Sequence, residues 1–128
     1  GETIFYDLGG AGGADKVKGG AGTTEMFGGL GRDTFIGGSG TSTMVDTGAG
    51  NVAFQFDTGL GGTDVVAGFN AAAGDYVRIT ALTWTASQFL AAVTVTGGNS
   101  FVDLAAGGHT TKIEFVGVTN LTAADFHG

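Results

Sequence analysis

The chain contains no cysteine and no proline. Without cysteine it can form neither a disulfide nor a thiolate metal site. Without proline and a glycine at every third position, its 27 glycines in 128 residues do not make a collagen helix. Basic side chains are scarce: five Lys and Arg stand against twelve Asp and Glu, for a net charge of −7. Such a chain repels phosphate backbones, so nucleic acid is not an expected partner. No apolar run approaches the ~20 residues of a membrane helix, so no membrane span is expected. The opening Gly1-Glu2-Thr3-Ile4-Phe5-Tyr6-Asp7 has no basic stretch, no signal-peptide core and no starting Met, and it reads as part of a longer protein. Catalytic patterns are missing too. There is no H-E-x-x-H, no G-x-S-x-G and no Gly-Lys-Ser/Thr, and the two histidines, His109 and His127, lie far apart. The chain is not expected to be an enzyme.

What the sequence does have is periodicity. Gly10, Gly19, Gly28 and Gly37 are spaced nine residues apart, and seven residues after each comes an apolar side chain: Val17, Met26, Phe35 and Met44. A fifth unit, slipped by one residue, ends on Phe54. The clearest unit is Gly28-Gly29-Leu30-Gly31-Arg32-Asp33-Thr34-Phe35-Ile36. Glycines at fixed intervals provide tight turns and close backbone approach. Each unit therefore predicts a six-residue turn and a three-residue strand whose middle residue points inward. Two units make one coil of 18 residues, and coils stack as parallel strands. Val17, Phe35 and Phe54 then line one inner face, and Met26 and Met44 the other.

The sixth position of the units is Asp15, Thr24, Asp33 and Ser42, with Val52 in the slipped unit. Turns two units apart share an edge, so Asp15 and Asp33 stack on one edge at a strand spacing of ~4.8 Å. Two carboxylates about 5 Å apart repel by about 0.8 kcal/mol in water and by about 3 kcal/mol at an effective dielectric of 20. A divalent cation between them removes that repulsion. Calcium suits the site, because it accepts six to eight oxygens in loose geometry, whereas magnesium demands a stricter octahedron. One calcium is expected here, held by Asp15 and Asp33 and by carbonyls of Gly10, Gly12, Gly29 and Gly31. Asp46 and Asn51, near the slipped turn, are candidates for a second site beside Asp33. Thr24 and Ser42 leave the other edge without charge, and no tight site is expected there.

This array resembles the nonapeptide G-G-x-G-x-D-x-U-x, with U a large apolar residue, of the RTX repeat (hemolysin-type calcium-binding) family. The resemblance implies a short parallel β-roll over residues 10–55, with calcium in its turns. The rest, residues 56–128, reads as a β-sandwich-like carboxy-terminal cap within the same single domain, with one or two short helices. The pattern predicts strands at Val52–Phe56, Thr63–Phe69, Asp75–Ile79, Val93–Thr96, Phe101–Leu104 and Thr111–Val116. Thr85-Ala86-Ser87-Gln88 fits a capping box for a helix through Phe89, Leu90 and Val93, and Thr122 caps a helical turn ending at Phe126.

The cap also resembles the carboxy-terminal segment of type I secreted bacterial proteins. The matching residues are Gly62-Thr63-Asp64-Val65-Val66-Ala67-Gly68-Phe69, Gly74-Asp75-Tyr76-Val77-Arg78-Ile79 and Leu121-Thr122-Ala123-Ala124-Asp125-Phe126. Gly68 stands where that family has Asp, and His127-Gly128 replaces an apolar tail. The resemblance implies an uncleaved export signal in Leu121, Thr122, Ala123, Ala124, Asp125 and Phe126. It also implies the type I secretion machinery as a partner and an extracellular or cell-surface location. Asp64 and Asp75 are candidate ligands of a further calcium or, more simply, turn-capping residues. A structural or adhesive surface module that self-associates at the cell surface, or the tail of a larger secreted enzyme, is the alternative.

Overall fold

The structure is a computed structural model that describes residues 3–7, 13–48, 51–57, 59–80, 85–106 and 108–127. It is mostly β. The strands are β1 (Thr3–Asp7), β2 (Ala14–Lys18), β3 (Thr23–Phe27), β4 (Arg32–Ile36), β5 (Thr41–Val45), β6 (Asn51–Asp57), β7 (Thr63–Ala67) and β8 (Tyr76–Thr80). After helix α1 (Ala86–Ala91) come β9 (Val93–Thr96), β10 (Asn99–Ala106), β11 (His109–Phe115) and β12 (Phe126–His127). These strands form two sheets. One has seven strands in the order β1-β3-β5-β7-β11-β10-β9, the other five in the order β12-β8-β6-β4-β2.

From β1 to β8 successive strands alternate between the sheets, and each pairs in parallel with the strand two before it. The offset between paired residues is 18 at Val17↔Phe35 and Met26↔Met44, and 19 at Phe35↔Phe54. It grows to 22 at Met44↔Val66 and 23 at Phe54↔Val77. The alternation thus continues past residue 55, the expected boundary, which falls inside β6. Longer connections hide the continuation from a nine-residue count, because inserted turn residues shift the spacing and leave the strand register intact.

The strands are also longer than the repeat predicts, with five residues rather than three in β2 to β5. The sixth-position residue therefore belongs to the strand, not to the turn. It precedes the apolar residue by two, so the period of two aims both inward. This is why Asp33, Thr24 and Ser42 are buried beside Phe35, Met26 and Met44.

Two inner ladders build the core. On the five-stranded sheet Val17, Phe35, Phe54, Val77 and Phe126 are register partners in turn. On the seven-stranded sheet Met26, Met44, Val66 and Phe115 are. Phe69, in the connection after β7, joins them: its ring centroid lies 6.0 Å from that of Phe54 and 5.8 Å from that of Phe115. Glycine makes the close stacking possible. Gly31 has φ +85°, and a side chain there would run into the Gly13 backbone; one at Gly40 would run into the Gly22 carbonyl.

The cap follows its sequence signals in part: α1 ends at Ala91, short of the expected Val93, which instead opens β9. Thr85 and Gln88 form the expected capping box at α1, and β9, β10 and β11 form an antiparallel meander. Trp84 and the Gly107 turn lie outside the described residues. The helical turn expected to end at Phe126 is a 3-10 turn over Ala123–Asp125. Phe126 instead enters β12, pairs with Val77 and packs on Phe89 with ring centroids 4.0 Å apart. No helix among the described residues is long and apolar enough to cross a membrane.

Phe54 sits mid-ladder, fully buried between Phe35 and Phe69. We expect Phe54→Ala to cost about 3–5 kcal/mol in urea unfolding, while Lys112→Ala, an exposed position on β11, changes stability by less than about 0.5 kcal/mol.

Candidate metal centre

From β1 to β8 the strands of one sheet all start at the same edge of the stack, and those of the other sheet start at the opposite edge. This sorts the acidic residues. Asp15 and Asp33 head β2 and β4 and are register partners on adjacent strands. The next position on that sheet is Val52, paired with Asp33, so the pair of carboxylates stops after two strands.

Asp33 is fully buried. Its Oδ2 accepts the Gly29 N–H at 3.0 Å, which fixes the carboxylate over its own turn. Its Oδ1 has no hydrogen-bond partner, and neither does the buried Oδ2 of half-buried Asp15. A buried carboxylate oxygen without a donor costs on the order of 1–3 kcal/mol or more. Two such atoms on adjacent strands are what a cation relieves. Carbonyls are at hand: Gly31 O already accepts Asn51 N–H at 3.0 Å and keeps a second lone pair, and Gly29 heads the same turn. Gly10 and Gly12 lie outside the described residues. Among the described residues no group of three or more His, Cys, Asp or Glu is gathered as for a metal. A metal here would rest on two carboxylates and on backbone oxygens, a donor set that fits calcium and not zinc.

The other candidates occupy different places. Asn51 pairs with Arg32, one position outward from the inner line of Asp33 and Val52. Asp46 is buried at the end of β5, where its Oδ1 accepts Gly48 N–H at 2.8 Å. Asp75 lies just before β8, on the edge shared by Asp15 and Asp33. Its Oδ1 accepts Val52 N–H at 2.8 Å and its Oδ2 accepts Asn70 N–H at 2.9 Å, so both oxygens tie turns together. Burial pushes the Asp75 carboxyl up to about 7, helped by a hydrogen bond shared with Asp46 and by that neighbour's charge, against the pull of the two backbone donors.

Asp64 heads β7 and so belongs to the opposite edge, in register with Ser42, which is in register with Thr24. The structure therefore does not bring Asp64 and Asp75 together. Asp64 is 1 % exposed, and neither of its oxygens has a hydrogen-bond partner. Its carboxylate lies against Gly37, where an added Cβ would meet Oδ2 at 2.8 Å. Burial pushes Asp64 up to about 7, with the nearby Ser42 hydroxyl acting in the opposite direction without reaching good hydrogen-bond geometry. Sequence reasoning set this edge aside as uncharged. The signal was there: Gly59-Leu60-Gly61-Gly62-Thr63-Asp64 carries an Asp at the sixth position, displaced from the count by the longer β5–β7 offset.

The segment Leu121-Thr122-Ala123-Ala124-Asp125-Phe126 is folded into the cap. Leu121 packs against the core, and Asp125 Oδ2 accepts Thr122 N–H at 2.8 Å. No family model matches the chain, and no curated protein matches it.

The two raised carboxyls set a pH dependence. An acid whose folded pKa lies above its unfolded value of 3.8 binds a proton more tightly when folded. Its contribution is fully present below pH 3.8 and is lost as pH rises through about 7. In calcium-free buffer the unfolding temperature should fall from pH 5 to pH 8, and Asp64→Asn should flatten that fall and raise stability at pH 8. An unchanged slope in Asp64→Asn contradicts the assignment.

Proposed function

We propose that the chain is a non-catalytic calcium-binding module whose parallel stack is a short β-roll of RTX-type nonapeptide repeats, exported by a type I system and locked by calcium outside the cell. The observation that carries this reading is the pair of buried carboxylate oxygens, Asp33 Oδ1 and Asp15 Oδ2, left without donors on register-paired strands. The 18-residue offsets of the first coils support the repeat assignment.

The mechanism follows from linkage. When calcium is scarce the paired carboxylates oppose closure of the first coils, and the chain stays loose enough to be threaded. When calcium is plentiful it binds the folded form alone and stabilises it. Extracellular calcium modules have dissociation constants of ~10⁻⁴–10⁻³ M. At ~1 mM calcium and ~0.1 mM affinity one site contributes roughly 1.4 kcal/mol. The cap residues Phe89, Val102, Leu104, Ile113 and Phe115 belong to the same core cluster as the ladders, so apolar packing supports the fold alongside the ion.

Calorimetry tests this. One millimolar calcium should raise the unfolding temperature at pH 7.5 by about 3–6 °C over a chelator control. Asp33→Asn should abolish the response while leaving the chain folded, since the amide removes a buried charge. An equal calcium response in wild type and Asp33→Asn sinks the proposed site.

A further inference from the structure

The outer face of the five-stranded sheet has a charge opposite to that of the chain as a whole. Four of the five basic residues project from it: Lys16 and Lys18 on β2, Arg32 on β4 and Arg78 on β8, all exposed. The period of two settles their direction, because Val17, Phe35 and Val77 between or beside them point inward and are buried. Asp57 at the end of β6 is the one carboxylate that shares this face among the described residues, and it is engaged by its own turn through Gly59 N–H at 3.1 Å. None of the four cations forms an ion pair among the described residues. Between them run neutral polar side chains, Thr34 and Gln55, and at the far edge the rings of Tyr76 and His127 stack 4.1 Å apart at 11°. The chain carries a net charge of −7, yet this flat face is positive.

We infer that this face docks an acidic polysaccharide, a chain of uronic-acid type whose carboxylates meet Lys16, Lys18, Arg32 and Arg78. Three considerations select that occupant. Five strands at ~4.8 Å and five residues at ~3.3 Å give a face of roughly 400 Å². That is about half of the ~800 Å² per partner that a stable protein complex buries, so a second copy of the chain has too little to hold, whereas a narrow linear polymer crosses it readily. Nucleic acid carries a charge every ~1.7 Å and meets strong repulsion from the rest of this acidic molecule; a polyuronate is less densely charged. A membrane surface calls for apolar side chains to insert, and Ile36, the large aliphatic side chain on this face, is itself 8 % exposed.

The test measures binding of oligogalacturonate to the full chain at one fixed calcium concentration, with dextran as the neutral polymer and phosphatidylglycerol vesicles as the anionic lipid. The expected result is binding to oligogalacturonate alone, weakened on the order of tenfold between 50 and 200 mM salt. The combined variant Lys16→Gln, Lys18→Gln, Arg32→Gln, Arg78→Gln, checked for native circular dichroism, should lose it at least tenfold. Lys112→Gln, on the other sheet, should keep it; if the combined variant misfolds, the pair Lys16→Gln, Arg78→Gln serves instead. Three results overturn the inference: no binding to oligogalacturonate, equal binding by the variants, or a preference for the vesicles. Salt-sensitive self-association of the wild type without polymer binding also overturns it, in favour of a second copy.

Discussion

The parity of a β-strand governs this molecule. A side chain two residues ahead of a core residue faces the core as well. Strands β3, β4 and β5 therefore bury their second residue along with their fourth, and β2 half-buries its second residue, Asp15. Where the second residue is Val52, the consequence is more core. Where it is Asp33, a carboxylate is brought into the interior with one oxygen bonded and the other bare. The apolar ladders supply the driving force that makes this tolerable, and the bare oxygen supplies the reason for a cation.

The same parity explains how much could be read in advance. Glycine spacing and the apolar residue of each unit located the strands from β2 to β6, the two inner ladders and the stacking of Asp15 with Asp33. Thr85 and Gln88 announced α1. The sequence was misleading where the count broke. Inserted residues between β5 and β7 moved Asp64 off the nine-residue grid, so its place beside Ser42 was not legible, although the strand register absorbed the insertion without change. The depth of Asp33 was also missed, because a turn assignment for the sixth position hides that the strand begins two residues earlier, at Arg32. Phe126 was read as the end of a helical turn, but its pairing with Val77 depends on β8, a strand some fifty residues away, and no local pattern reports that.

The edges and faces of the stack divide the chemistry. One edge holds Asp15, Asp33, Asp46 and Asp75, of which Asp46 and Asp75 accept hydrogen bonds from backbone donors. The other edge holds Thr24, Ser42 and Asp64, where a carboxyl sits among neutral neighbours. The outward residues of β2, β4 and β8 gather the cations. An acidic chain thus keeps four of its five basic residues on one plane, whereas Glu25, Asp103 and Glu114 lie on strands of the other sheet.

The most direct examination of the account is a crystal structure grown in several millimolar calcium, with anomalous data collected to identify the ion. The account predicts a peak between the Asp15 and Asp33 side chains, with carboxylate oxygens from both residues at about 2.3–2.6 Å. Asp33 Oδ1 bonded only to water, with no anomalous peak between the two strands, contradicts it.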